Sequence, residues 1–482
     1  MSAAQAAIKM PEKNQEIERI HTLFNQQKAA YRAHPMPTSG ERRADLKRLK
    51  EVVLKYKDEL ASAIYQDFSC RSKDETLVAE IMTSVQGINY AIKRLGKWMK
   101  PSKRHVSMLF APSQNYVMYQ PLGVVGIIVP WNYPVQLAVL PLMTALAAGN
   151  RAMIKMSEFT PATNAVLKKL LAEAFSEEQV AIIEGEVEVS TAFSETPWDH
   201  LVFTGSTMVG RIVMAAAAKN LTPVTLELGG KSPAIIAPNA SMQDAVERIC
   251  FGKSLNAGQT CIAPDYVLLP AGKEEEFIER YKATFATMYP TVRNNDDYTA
   301  IINDRQHQRL LSWVEDAKEK GAKITVVNPA NEDFSGTRKM PLHLMQQGTA
   351  DMKVLQDELF GPILPIVPYK TLDSALEYIN DRDRPLALYI FTYDKNEQQR
   401  ILERTHAGGV TINDTLMHVA QDDIPFGGVG PSGMGHYHGK EGFIALSKAK
   451  GVHRKGKFNS GKFVYPPYGT AIQALIHKFF IR

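Results

Sequence analysis

The feature that most constrains this chain is an alternation, beginning near Tyr116, of short β-rich runs with helix-length amphipathic runs. The run VMYQ and then the apolar GVVGIIV, closed by Pro130, predict strands, and the second has the texture of a strand buried on both faces. A strand near Arg151 to Lys155, a helix from Pro161 to Phe175, and strands near Val180 to Glu184 and His200 to Thr204 follow. Another strand candidate at Pro223 to Leu226 precedes the pair Gly229-Gly230, a break at which a second α/β region can start. Strand and helix in alternation predict doubly wound α/β architecture. Before this region the chain reads as helical: Ile17, Ile20, Leu23 and Phe24 share one face, and Thr38 with Glu41 forms a capping box.

With 482 residues the chain exceeds what one core usually serves, so two large domains and a small accessory element are expected. A net charge of +5 is small for this length and argues against a nucleic-acid partner held by bulk electrostatics. The most basic stretch, Arg42, Arg43, Lys47, Arg48 and Lys50, is interleaved with Glu41, Asp45 and Glu51 and predicts a solvated helix face. Cys70, Cys250 and Cys261 lack CxxC spacing, so neither a disulfide framework nor a metal site is expected, and a reducing, cytoplasmic setting is the simplest reading. The N-terminal segment has no apolar core followed by a cleavage site, and no apolar run approaches membrane-spanning length. The amphipathic tail from Ala471 to Ile481 is expected to dock on its own protein in preference to a membrane.

Several local patterns carry chemistry. In His200-Leu-Val-Phe-Thr-Gly205-Ser206-Thr207-Met-Val-Gly210-Arg211 an apolar strand turns tightly into a helix, whose first N–H groups suit a pyrophosphate. The spacing is GxxxxG, and Arg211-Ile212 replaces the Lys-Ser/Thr of a P-loop, which disfavours an ATPase. Upstream, Lys155-Met156-Ser157-Glu158 ends a strand; a carboxylate there can accept the hydroxyls of an adenosine ribose, while Lys155 tolerates a 2′-phosphate. Cys261, after Asn256-Ala-Gly258-Gln259-Thr260, is either a nucleophile needing help to become a thiolate or buried filler. Glu227, between an apolar strand and a double glycine, is either a desolvated general base or the partner of Lys231 in a strand-end salt bridge. Asn132, in Pro130-Trp131-Asn132-Tyr133-Pro134, is either an N–H donor for an oxyanion or a turn residue.

Taken together, PWNYP, FTGSTMVG, LELGGKSP, GQTC and Glu358-Leu-Phe360-Gly-Pro362, in that order, resemble the motifs of the aldehyde dehydrogenase superfamily, over roughly Leu49 to Val452. The resemblance implies a Rossmann-like NAD(P)-binding domain over 1–228, with part of an oligomerisation element near 105–121. It further implies a catalytic domain over 229–420, then a return segment, oligomerisation strand and tail over 421–482. Cys261 would be the nucleophile, Asn132 the oxyanion donor and Glu227 the general base. Trp131, Lys155, Glu158, Gly205, Ser206, Gly210, Glu358 and Phe360 would contact the cofactor, NAD with NADP also possible. The segment from Asp423 to Gly439 is similar to the shorter, usually dimeric branch, so a homodimer is implied, and Pro141 stands where tetrameric branches often carry a relay lysine. Within that branch the chain is most similar to bacterial enzymes acting on coniferyl aldehyde, which makes an aromatic aldehyde the first expected substrate and a medium- or long-chain aliphatic aldehyde the second. A cofactor-independent cysteine hydrolase or acyltransferase is the rival of another class. Tyr133, Gln136, Ile262, Met417 and His418 are the expected pocket residues.

Overall fold

The computed structural model describes residues 12–481. The first eleven residues, on which the expectation about the N-terminal segment bears, lie outside the described residues. The helix Glu12–Ala33 lays Ile20, Leu23 and Phe24 against Val124 and Met153 of a sheet more than a hundred residues later. In the helix Ser39–Lys55 the capping box is formed: Thr38 Oγ1 accepts the Glu41 N–H at 3.3 Å and the Glu41 carboxylate accepts the Thr38 N–H at 2.6 Å.

One residue of that basic helix departs from the solvated face expected of it. Arg42 is buried, and its guanidinium donates to the carbonyls of Pro37, Ala147 and Ala148 at 2.9, 3.2 and 2.7 Å. The last carbonyls of the fully buried helix Gln136–Ala148 have no water to receive them, so a cation at that helix end replaces it.

Two sheets form the body. The first has six strands in the spatial order Gly433–Met434, Val224–Glu227, His200–Thr204, Val124–Ile128, Arg151–Lys155 and Val180–Ile183. All neighbours in it are parallel except Gly433–Met434, which pairs antiparallel with Val224–Glu227 through Gly433 opposite Glu227. The chain starts at Val124–Ile128, winds to one side through Arg151–Lys155, then returns to the other side at His200–Thr204. The order therefore reverses beside the first strand, and a crevice opens beyond the strand C-termini there. Between Glu227 and Pro233 the chain crosses to the second sheet. Its order is Lys323–Val327, Leu342–Gln346, Ile363–Tyr369, Tyr266–Pro270, Pro233–Ile236, Ala387–Phe391 and Gly409–Ile412, parallel apart from the first pair. These are the two doubly wound α/β layers that the alternation predicted.

A third, antiparallel sheet joins Ser102–Arg104, Gln114–Pro121 and Ser447–Arg454. The tail helix Ala471–Phe480 touches the short turn Ser460–Val464, which in turn touches Met108–Phe110. Ile472, Leu475, Phe479 and Phe480 on it remain exposed. No helix among the described residues is long and apolar enough to cross a membrane.

Candidate active site

Parallel strands deliver their C-terminal loops to one edge, and three loops of the first sheet meet there. From Val124–Ile128 the chain runs through Pro130, Trp131 and Asn132; from His200–Thr204 through Gly205 and Ser206; from Val224–Glu227 through Glu227 and Gly229. Gly205 is fixed by its N–H to the Glu227 carbonyl, 3.0 Å away, and a side chain on it would strike the Phe203 ring. Ser206 caps the helix Thr207–Ala218, its Oγ accepting the Val209 N–H at 3.4 Å.

The second sheet supplies the rest. After the helix Met242–Ser254 the chain enters a tight turn in which Asn256 and Ala257 both have φ of 51° and Gly258 has φ of 73°. A Cβ on Gly258 would lie 2.5 Å from the Gly361 carbonyl oxygen, so glycine there seats the loop of Cys261 on the segment that carries Glu358 and Phe360. Phe360 is itself left-handed, and its ring meets Trp131 edge-on with centroids 5.3 Å apart.

These loops enclose a cavity of about 230 Å³ whose walls include Trp131, Asn132, Gly205, Ser206, Glu227, Cys261, Glu358 and Phe360. On its other side Cys261 faces an apolar cavity of about 430 Å³ walled by Tyr133, Leu137, Phe251, Tyr289, Phe426 and Tyr437 among others. The thiol thus stands in the partition between two chambers. Burial, then the nearby Glu358 and Glu227, push its pKa up and favour the neutral thiol. Burial also holds Glu227 well above the ordinary carboxylate range, and both of its oxygens lack a protein hydrogen-bond partner. Lys231 does not pair with it, bonding Asp265 and the Val354 carbonyl instead, which removes the salt-bridge alternative. Glu358 is pushed up to about 8 by burial and the neighbouring Asp265.

Three expected cofactor residues lie elsewhere. Lys155 ends the strand Arg151–Lys155 and Glu158 follows three residues later at the same sheet edge, both outside the cavity walls. Lys155 is buried and gives its ammonium to the Met156 carbonyl at 2.7 Å; Glu158 is exposed. Gly210 turns toward the sheet, where a Cβ would come within 2.6 Å of Leu228, so its small size serves helix-to-strand packing. Tyr133, Gln136, Ile262 and Met417 do line the apolar chamber. His418 does not; its Nδ1 is bonded to Thr411 Oγ1 at 2.9 Å. Gln306 and Arg309 in the first cavity were missed, since the helix Asp304–Glu319 carries no local signature that separates them from surface residues. Arg309 donates to the Leu359 carbonyl at 2.8 Å, beside Glu358.

The residues present suit a dinucleotide. The glycine turn leaves room for backbone N–H groups at a helix start to meet a diphosphate, and Glu358 Oε1 is buried with no partner, an acceptor ready for a ribose hydroxyl. Comparison with known proteins agrees. The model of the "Aldehyde dehydrogenase family" matches residues 3–452. A "Probable coniferyl aldehyde dehydrogenase" of Pseudomonas aeruginosa is 58% identical over 473 residues, covering 98% of each chain. A "Coniferyl aldehyde dehydrogenase" of a Pseudomonas species is 43% identical over 462 residues, 95% of this chain and 96% of that one. The substrate-bound structure of Staphylococcus aureus AldH superposes with a TM-score of 0.90 at 38% identity, covering 96% of this chain and 99% of that one. The chain belongs to the aldehyde dehydrogenase family, and it oxidises aldehydes to carboxylic acids with NAD(P)+.

Proposed function

We propose that the oxidation runs through a thioester on Cys261, that Asn132 and Glu227 serve it as oxyanion donor and base, and that the physiological aldehyde is coniferyl aldehyde or a close aryl relative. The observation that carries the mechanism is the place of Cys261 between the two chambers. As Cys261 Sγ bonds to the aldehyde carbon the thiol gives up its proton to ionised Glu227, whose two oxygens have no hydrogen-bond partner among the described residues. The carbonyl oxygen becomes an oxyanion facing the Asn132 amide and the Cys261 backbone N–H; one such donor is worth about 3 kcal/mol. Bound NAD(P)+ supplies the hydride acceptor. Trp131, Glu358 and Phe360 would hold it, and Glu158, beyond the end of its strand, would favour NAD through the adenosine ribose. Glu227, having passed the thiol's proton to solvent, takes a proton from the water that attacks the thioester, and the acid leaves as the Cys261 sulfur takes a proton back.

The aromatic walls of the apolar chamber support the aryl substrate, as does the name of the Pseudomonas relatives. A second copy of the chain is the proposed cover for the exposed tail, giving a homodimer, and free cysteines at all three positions suit a reducing cytoplasm.

The test is rapid mixing of enzyme, NAD+ and coniferyl aldehyde. Cys261→Ala is expected to bind NADH yet give no burst, whereas Glu227→Gln gives a burst and then stalls as an acyl-enzyme seen as added mass on the intact protein. A burst from Cys261→Ala rejects the thioester route. In the same assay kcat/KM for coniferyl aldehyde should exceed that for decanal; the reverse order assigns the chamber to aliphatic substrates.

A further inference from the structure

Arg71 belongs to no motif singled out in the sequence, yet its side chain is fully buried within reach of the oxyanion loop. It stands between two carboxylates, with Nε 3.2 Å from Glu75 and Nη1 2.9 Å from Glu80. Nη1 also donates to the backbone carbonyl of Asn132 at 2.9 Å, and the guanidinium lies over the Tyr133 ring, 4.6 Å from its centroid. Glu80 in turn accepts the N–H groups of Val135 and Gln136 at 2.7 and 3.0 Å. One buried ion pair therefore grips the loop that bears Asn132 at that residue and again three and four residues beyond it.

The same carbonyl oxygen has a second donor from the other sheet's side of the site. Asn256 Nδ2 donates to Asn132 O at 3.1 Å and to the Gln259 carbonyl at 3.1 Å, two residues before Cys261. Tyr133 and Thr260 add a hydroxyl-to-hydroxyl bond of 2.9 Å between the two loops. The Asn132 carbonyl is thus the shared anchor of the oxyanion loop and the nucleophile loop. A fork-shaped, permanently charged side chain suits this post, because it can satisfy carboxylates and a carbonyl at once.

We propose that Arg71 and Asn256 are positioning residues which, by holding the Asn132 carbonyl, set the Asn132 amide at its working distance from Cys261. This rests on the reading of Asn132 as the oxyanion donor. Neither residue touches substrate or cofactor; both act through Asn132, and that is what an experiment can isolate. A misplacement of about 1 Å at such a site costs up to a hundredfold in rate.

The experiment is a double-mutant cycle read by the burst rate of NADH formation, with KM for NAD+ and the melting temperature measured alongside. Arg71→Lys keeps the charge between Glu75 and Glu80 but loses the fork. It is expected to slow the burst on the order of tenfold or more, with KM for NAD+ within twofold of wild type. Asn132→Ala alone is slower still, and Asn132→Ala with Arg71→Lys is expected to be no slower than Asn132→Ala alone, since a positioning group has nothing left to position. Asn256→Asp, which tolerates the left-handed backbone but lacks the donor, should show the same non-additivity and serves if Arg71→Lys does not fold. Losses that multiply in the double variants, or an unimpaired burst in Arg71→Lys and Asn256→Asp, overturn the proposal. An unimpaired burst in Asn132→Ala removes the oxyanion reading itself, and the proposal with it.

Discussion

Cys261, Glu227 and Glu358 line one cavity, and in each of them burial is the first cause favouring the neutral form. A carboxyl that binds its proton more tightly folded than unfolded lends stability at low pH and withdraws it as pH rises through its folded value. For Glu358 that window runs from the ordinary 4.5 to about 8. Glu358→Gln, which keeps the shape and omits the charge, should therefore melt close to wild type at pH 5 and above it at pH 9 in the absence of cofactor. A difference independent of pH would mean the carboxylate is solvated. At this scale the sequence was informative where chemistry is concentrated in short motifs. Asn132, Glu227 and Cys261 each sit in a run of local residues that only makes sense together, and they meet in one cavity. Arg71, Gln306 and Arg309 could not be found that way, because Arg71 reaches the site from a loop between helices and the other two from a helix, and tertiary packing decides both approaches.

Glycines fix how the elements join, and two of them make opposite predictions. Gly433 has φ of 137°, and a Cβ there would lie 2.0 Å from the Leu226 carbonyl oxygen in the paired strand. Gly433→Ala should cost about 2 kcal/mol or more in urea unfolding and lower activity, since the strand it displaces ends in Glu227. Gly451, in the strand Ser447–Arg454, has nothing within 4 Å of where a Cβ would stand, so Gly451→Ala should be neutral within about 0.5 kcal/mol. Strands of the first sheet were legible because burial on both faces writes continuous apolar runs such as those of Val124–Ile128 and His200–Thr204. The two-residue strand Gly433–Met434 was not, as two residues carry no periodicity. Arg42 misled for a related reason: amphipathic spacing marks which face is charged, and only the packed structure shows that a helix end needed that charge.

For the molecule as a whole, the proposed dimer makes a direct demand on the tail. Phe458, Phe463, Tyr468, Leu475, Phe479 and Phe480 are all exposed on a single chain. Deleting residues 457–482 should halve the mass seen by light scattering while leaving the three-stranded sheet intact; a mass unchanged by deletion, or a monomeric parent, rejects that assignment. Composition and alternation were enough to foresee two α/β layers, whereas the fate of the tail depends on surfaces that one chain does not supply. The antiparallel strand Gly433–Met434 has a further consequence for how the protein is made. It closes one margin of the first sheet, and it is synthesised about two hundred residues after the strand it covers. On the ribosome the margin at Val224–Glu227 stays open until the whole second sheet has emerged, a template for pairing with any other nascent strand. Premature termination would therefore release an adhesive fragment, not a spare nucleotide-binding module.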